Sequence, residues 1–180
     1  RAARLQERPA LTTAAWGTLT WSAWRNRVEG LALGLLAAPL ADPLHSCGHG
    51  PWDWAAEVAV ACCGWTWAAG GQAIPETVLG GPGFNAEEGR GLYHDREKEV
   101  LPATPFTEGF THQDLLARLQ TWNRQLGWDH SCTLAIASEH LGSSEGRAAL
   151  WCALYAGAHV QALEPSLPAK GLRRQCFKVC

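Results

Sequence analysis

The stretch from Phe110 to Glu164 constrains the fold of this 180-residue chain more than any other part of it. Its apolar residues follow a helical period, then a short run of strand type, and then the same two patterns again. Thr111 can cap the first helix because Asp114 lies three residues on, where a capping box has its acidic partner. The stretch therefore predicts the order helix, strand, helix, strand, which is typical of an α/β fold.

Each of the four predicted elements has its own signal. The first helix carries an apolar stripe at spacings of four and three residues, formed by Leu115, Leu119, Trp122 and Leu126. The run from Cys132 to Ala137 is apolar without alternation, so we expect a strand covered on both sides. Ser143 or Ser144 caps the second helix, which Ala156-Gly157-Ala158 closes. His159 to Leu163 alternates polar with apolar residues, as a half-buried strand does.

Residues 9–80 show a similar order of patterns. A hairpin is predicted around Trp16-Gly17, and a short strand is predicted at Gln72 to Ile74. Between them lie two helical stripes, the first formed by Trp24, Val28, Leu31 and Leu35 and the second by Trp54, Val58, Cys62 and Trp65. Pro39 ends the first of these helices.

The two parts of the chain can be laid on each other. Thr20 matches Thr111 at an offset of 91 residues, and Cys63-Gly64 matches Ala156-Gly157 at an offset of 93. The nearly constant offset predicts a duplicated unit in which Val28 and Leu119 are buried at equivalent positions. We expect a first α/β subdomain in residues 1–80, a linker or excursion rich in Gly, Pro and charge in residues 81–104, and a second α/β subdomain in residues 105–180.

Several of these residues resemble motifs of the adenylate-forming superfamily, the AMP-binding acyl-CoA synthetases and their relatives. The motifs are Thr111-His112 at a helix start, His140-Leu141-Gly142 at the end of a strand, and Ala156-Gly157-Ala158 before the next strand. In that family the Thr-His pair follows the phosphate-binding loop, and the later histidine ends a strand beside the acyl pocket. The resemblance implies that His140 and Gly142 bind the substrate.

The first half of the chain resembles the same family. The segment GTLTWSAWRNRVEGLALGLL looks like its opening Leu-Thr-Tyr/Trp segment, and PWDWAAEVAVACCGWTWAAG looks like a helix that begins with Glu-Trp. The likeness covers residues 9–75 and 105–165 and involves scaffold helices rather than chemistry. It implies the N-terminal portion of the family's fold, an α/β fold with two similar subdomains whose mixed or parallel sheets are flanked by helices.

The family's phosphate-binding loop is degenerate in this chain. The family has a Ser-, Thr- and Gly-rich loop that ends in Pro-Lys-Gly, and its backbone amides and lysine hold the ATP phosphates. Here Glu108 stands where a cation is wanted, and a carboxylate repels a triphosphate. The resemblance implies a vestigial phosphate loop made of Thr104, Thr107, Glu108, Gly109 and Thr111. The family's motifs for Mg²⁺, for ribose and for the lysine of its small domain would lie beyond residue 180.

Two functions follow from this resemblance. In the first, the chain is a non-catalytic interaction or binding subunit, and we predict no catalytic residues in it. In the second, it is a fragment or subunit of an acyl-adenylating ligase that binds a hydrophobic carboxylate, with ATP and Mg²⁺ as cofactors. The expected partners are a hydrophobic carboxylate or acyl group and either a protein partner or a further copy in an oligomer.

Charge and hydropathy exclude other classes of partner. The net charge is −2 and no basic block is present, so we expect no binding to nucleic acid or to anionic lipid. The apolar stretches 30–40 and 54–71 are too short or too interrupted, by Glu57 among others, to predict a membrane span. No signal peptide is recognisable in the first residues. Cys62, Cys132 and Cys152 lie in predicted apolar elements, so reduced, buried thiols and a cytoplasmic location are expected.

Three further patterns are candidates for a metal site, a phosphate-binding loop and a partner surface. His45, Cys47 and His49 alternate along the chain, about 7 Å apart on a strand, but nothing nearby completes a tetrahedral set, so no metal site is predicted. The glycine-rich run 79–91 fits no phosphate-binding fingerprint and predicts a surface loop. Trp16, Trp52 and Trp128 lie at element ends and are candidates for an exposed partner surface.

Overall fold

A computed structural model describes residues 2–45, 51–79 and 99–164. The helices are α1 (Ala2–Leu5), α2 (Trp21–Ala37), α3 (Pro51–Cys62), α4 (Glu76–Leu79), α5 (His112–Leu126) and α6 (Ser144–Ala156). The strands are β1 (Pro9–Thr13), β2 (Gly17–Thr20), β3 (Leu44–His45), β4 (Gln72–Ala73), β5 (Pro105–Thr107), β6 (Phe110–Thr111), β7 (Thr133–Ala137) and β8 (His159–Leu163). A single 3₁₀ turn, Ser138–His140, follows β7.

The main sheet has four strands in the order β2-β1-β8-β7. β1 and β2 form the predicted hairpin, in which Gly17 adopts a φ of 64° that favours glycine. β8 runs parallel to both of its neighbours, β1 and β7. The sheet is therefore mixed, and together with the helices it confirms the predicted α/β class.

The two faces of the main sheet differ in burial. Leu11, Val160 and Leu134 are paired in register across β1, β8 and β7, and all three belong to the main hydrophobic core with helices α2 and α3. The other face carries small or polar side chains such as Thr133, which is exposed. Residues of β7 thus alternate between buried and more open, so the predicted coverage on both sides is wrong. The reason is that Thr133, Ala135 and Ala137 share one face of β7 and all three side chains are small.

Two small sheets are joined by a tryptophan. β3 pairs with β4 in parallel, and β5 pairs with β6 as an antiparallel hairpin. Trp67 bridges Leu44 on one side and Thr107 on the other, and its amide donates to the carbonyl of Phe106 at 2.9 Å. The main sheet and the joined pair of small sheets therefore each combine segments from before and after residues 81–104. The division of the chain into two subdomains at that point stays a prediction.

The matched positions share their local geometry. Thr20 caps α2 and Thr111 caps α5, each by accepting a hydrogen bond from the amide three residues on. Gly64 and Gly157 both adopt the left-handed conformation, with φ of 71° and 77°. The predicted burial of Val28 and Leu119 is confirmed, at 5% and 4% exposure.

The second helical stripe was predicted one turn too far. Helix α3 ends at Cys62, which is exposed, whereas the neighbouring Cys63 is buried. The left-handed Gly64 ends the helix, and the amide of Trp65 donates to the carbonyl of Val60 at 3.1 Å. Trp65 is buried as predicted, but from the segment after the helix.

The remaining predictions about cysteines and metal ligands concern residues both inside and outside the described ranges. Cys152 is buried, and burial raises the pKa of its thiol to about 11, so the thiol stays protonated. Cys132 is half-buried. Within the described ranges no three His, Cys, Asp or Glu side chains are grouped as metal ligands. Cys47, His49 and residues 80–91 lie outside the described residues. No helix in the described part of the chain is long and apolar enough to cross a bilayer.

Candidate functional site

The residues of the predicted phosphate loop form a β-hairpin. Thr107 of β5 pairs with Phe110 of β6, which leaves Glu108 and Gly109 as a two-residue turn. Gly109 has a φ of 69°, and the side chain of Glu108 is exposed at the tip. The segment is thus a closed turn with a carboxylate at its end.

The threonine hydroxyls around this hairpin are used within the chain. The Thr104 hydroxyl accepts a hydrogen bond from the Leu101 amide at 2.8 Å and donates to the Glu99 carbonyl at 3.3 Å. The Thr111 hydroxyl donates to the Asp114 carboxylate at 2.7 Å and accepts from the Asp114 amide at 3.2 Å. The carboxylate in turn accepts from the Thr111 amide, and these bonds from Thr111 lower the pKa of Asp114. This is the capping box predicted from the sequence.

His140 and Gly142 lie at the surface beyond the carboxyl end of β7. The His140 side chain is 64% exposed, and its Nε2 lies 3.9 Å from the nearer carboxylate oxygen of Glu139. A side chain at Gly142 would meet no atom within 4 Å. Leu141, between them, is buried. Their role in substrate binding stays a prediction.

The backbone at His140 is held firmly although its side chain is open. Its carbonyl accepts hydrogen bonds from the Ser143 amide at 3.1 Å and from the Ser143 hydroxyl at 2.9 Å. The same hydroxyl caps helix α6 by accepting from the Gly146 amide at 3.0 Å. A Cβ atom at Gly146 would overlap the His140 carbonyl, so only glycine permits this close approach.

A buried charged group links α3 to α6. Glu57 is only 2% exposed, and its carboxylate accepts hydrogen bonds from Arg147 Nε at 2.8 Å and from Nη2 at 2.7 Å. Trp151 Nε1 donates to the same carboxylate at 3.1 Å. In the sequence Glu57 stands out only as an interruption of an apolar run. The signal that could have revealed the pair is an acid in the middle of the apolar run of α3 together with the single arginine of α6.

Aromatic rings surround this charged group and extend to the hairpin. The Arg147 guanidinium lies 5.4 Å from the centre of the Trp67 ring. Trp151 packs edge-on against Phe106 at 5.3 Å between ring centres, and Phe106 packs against His112 at 5.8 Å. Among the described residues His112 Nε2 is buried and has no hydrogen-bond partner, and burial lowers the pKa of this imidazole. We call Glu57, Arg147, Trp67, Trp151, Phe106 and His112 the arginine–aromatic cluster.

The tryptophans predicted as a partner surface are half-buried instead. Trp16, Trp52 and Trp128 all pack against the main hydrophobic core. Trp16 and Trp52 meet edge to face at 4.6 Å, and the Arg27 guanidinium lies 4.5 Å from the first ring and 5.2 Å from the second. Trp16, Trp52 and Arg27 thus form a packed group at the edge of the core rather than an exposed aromatic patch.

Comparison with known proteins separates sequence from fold. Neither a protein-family model nor a curated protein matches the sequence. Solved structures, in contrast, match the fold closely. The three structures described below are between 11% and 17% identical to this chain in sequence. The chain superposes on VinN with a TM-score of 0.68 at 11% identity, covering 89% of this chain and 54% of VinN.

Two further solved structures match the chain with similar TM-scores. The O-succinylbenzoate coenzyme A synthetase MenE from Bacillus subtilis, in complex with ATP and magnesium, gives a TM-score of 0.62 at 14% identity over 90% of this chain and 55% of MenE. The N-terminal subdomain of NpsA from Klebsiella oxytoca gives 0.61 at 17% identity over 93% of this chain and 52% of the NpsA chain. The chain has the fold of the N-terminal portion of an adenylation domain.

This adenylation-type fold is present only in part. The chain spans about half the length of each of these three structures, as their coverage shows. The resemblance noted in the sequence is therefore confirmed for the fold. At these identities the comparison establishes no activity or substrate.

Proposed function

We propose that this chain is a non-catalytic interaction or binding subunit built on half of an acyl-adenylating ligase fold. The observation that carries the proposal is the closed β5–β6 hairpin. Its hydroxyls at Thr104 and Thr111 are committed to the chain's own backbone and to Asp114, and its turn presents Glu108. A cytoplasmic location is part of the same proposal.

The charges of this segment argue against a triphosphate site. Residues 99–111 contain two carboxylates and no lysine or arginine. A phosphate-binding loop works through free backbone amides and positive charge. Here Thr107 and Phe110 pair as strands, and the Arg118 guanidinium packs over the Phe110 ring at 4.7 Å from its centre. ATP held here would face the carboxylate of Glu108, which repels a triphosphate.

A pyrophosphate-exchange assay tests the proposal. The purified chain is incubated with ATP, Mg²⁺, labelled pyrophosphate and a panel of aliphatic and aromatic carboxylates, with an intact acyl-CoA synthetase as the positive control. We expect no exchange above background with any acid. Exchange that depends on both the chain and a carboxylate would contradict the non-catalytic function.

A second function, a subunit or fragment of an acyl-adenylating ligase that binds a hydrophobic carboxylate, is favoured by one placement. His140 follows the parallel strand β7 at its carboxyl end, and open α/β sheets bind ligands at that edge. In this function ATP and Mg²⁺ would be bound with the help of protein outside this chain.

His140→Ala tests this second function. Because the side chain is exposed, we expect stability to change by less than about 1 kcal/mol. A direct contact between His140 and the acid requires the affinity for octanoate or benzoate to fall, whereas a carboxylate bound elsewhere in the chain leaves it unchanged. Calorimetric titration and the melting midpoint are measured on the same samples. A clear loss of stability with unchanged binding would assign His140 to structure alone.

A further inference from the structure

We propose that Arg147 in the arginine–aromatic cluster binds the carboxylate group of a ligand whose apolar body packs against Trp151. This inference rests on the carboxylate-binding function proposed above. It places the carboxylate at a site different from His140.

The guanidinium of Arg147 has an unused edge. An arginine side chain carries five N–H donors, and a carboxylate occupies two of them in a bidentate pair. Glu57 takes the edge formed by Nε and Nη2. Among the residues that the structure describes, Arg147 has no other hydrogen-bond partner, which leaves the edge formed by Nη1 and Nη2. The side chain is 32% exposed, so a ligand can reach it.

The edge is held in place by its surroundings. The bidentate contact to a carboxylate that is 2% exposed fixes the plane of the guanidinium, and the Trp67 ring lies 5.4 Å from its central carbon. A fixed guanidinium loses little conformational entropy when it binds an anion. The site is therefore prepared for a carboxylate before the ligand arrives.

The walls of the site select an acid with an apolar body. Trp151 is half-buried and shares a carboxylate oxygen with Arg147 through Glu57. Phe106 is buried and supports the Trp151 ring from behind, edge-on at 5.3 Å between ring centres. A partly open indole of this kind favours an aromatic or alkyl chain over a small hydrophilic anion.

The charge of Glu57 limits the affinity and provides the test. Glu57 and Arg147 neutralise each other, so an incoming carboxylate meets a positive edge with a negative charge behind it. Glu57→Gln removes that opposing charge, while its amide oxygen still accepts hydrogen bonds. We expect this variant to bind benzoate and octanoate more tightly by about threefold or more, because one repulsion is removed.

The matched loss variant is Glu57→Gln with Arg147→Gln. It keeps the group uncharged and able to form hydrogen bonds, so no unpaired charge is buried. We expect its affinity for both acids to fall by about tenfold or more relative to Glu57→Gln, because the cation is gone. Arg124→Gln, an exposed change on α5, is the control for net charge and should bind as the unchanged chain does.

Isothermal titration calorimetry at neutral pH is carried out on the unchanged full chain, on these three variants and on His140→Ala, with circular dichroism to verify folding. Unchanged or weaker binding by Glu57→Gln would overturn the inference, even if the double variant fails to fold. Binding that is lost in His140→Ala but insensitive to both cluster variants would overturn it too, while leaving the carboxylate-binding function intact. An absence of binding to the unchanged chain would refute that function itself and the inference with it.

Discussion

Helices α2 and α5 start with the same threonine cap and are covered very differently. In α2 eight residues are buried, among them Val28, Leu31 and Leu35. In α5 only Leu119 is buried, and Leu116 and Leu126 are 49% and 38% exposed. Capping is decided within a few residues, whereas burial depends on what the rest of the chain places against the helix. The comparison separates local signals from tertiary ones.

The largest expected contrast is between a leucine of each helix. Leu35→Ala should lower the free energy of unfolding by about 3 to 5 kcal/mol, because Leu35 is fully buried and its loss leaves a cavity. Leu126→Ala should cost less than about 1 kcal/mol. Urea denaturation of both variants measures the two values. Equal costs would show that α5 is covered by something that its exposure does not reveal.

The equivalent positions Val28 and Leu119 should give similar effects. Truncation of either side chain to alanine should lower stability by about 2 to 4 kcal/mol, since both are buried. The same denaturation experiment applies, with Arg124→Ala as an exposed control on α5. A near-neutral result at one position only would break the equivalence of the two helices.

The two caps should matter less, and to a similar extent. Thr20→Ala and Thr111→Ala should each cost about 1 kcal/mol, because each removes an acceptor for an amide in the first helical turn. Serine at either position should restore most of the loss. A cap that costs nothing in thermal or chemical denaturation would mean that water or another group replaces it.

The smallest expected effect is the pH dependence of the α5 cap. The folded-state pKa of Asp114 is lowered by its hydrogen bonds from Thr111, so its contribution is complete above the unfolded value of 3.8 and is lost as pH falls through the folded value. The melting midpoint of Asp114→Asn should therefore lie below that of the unchanged chain at pH 7 and approach it below pH 3.8. A difference that grows on acidification would have the wrong sign for this cap.

Local features of the fold could be predicted from the sequence, and long-range pairings could not. The caps at Thr111 and Ser143 and the glycine that ends α6 depend on residues within one turn, and all three are present. Trp65 was assigned to a helix because the stripe continued past the glycine that ends α3. A periodic pattern alone does not show where a helix stops.

The missed features join residues far apart. Glu57 and Arg147 are 90 residues apart, and no local period reveals that they meet. The pairing of β1 with β8 likewise joins the first strand to the last strand of the described chain. The sequence shows that the vestigial loop has a carboxylate, Glu108, in place of a cation. Its closed hairpin depends on the pairing of Thr107 with Phe110, which was not predicted.

The position of β8 has a consequence for the order of events during synthesis. β8 lies between β1 and β7, so these two strands cannot become part of one sheet until residues 159–163 have been synthesised. At about 5 to 20 residues per second, a nascent chain waits roughly 8 to 30 s between the emergence of β1 and that of β8. During that time β1 has only its hairpin partner and keeps one edge open. The open edge of β1 is therefore available to chaperones, or to other nascent chains, until β8 arrives.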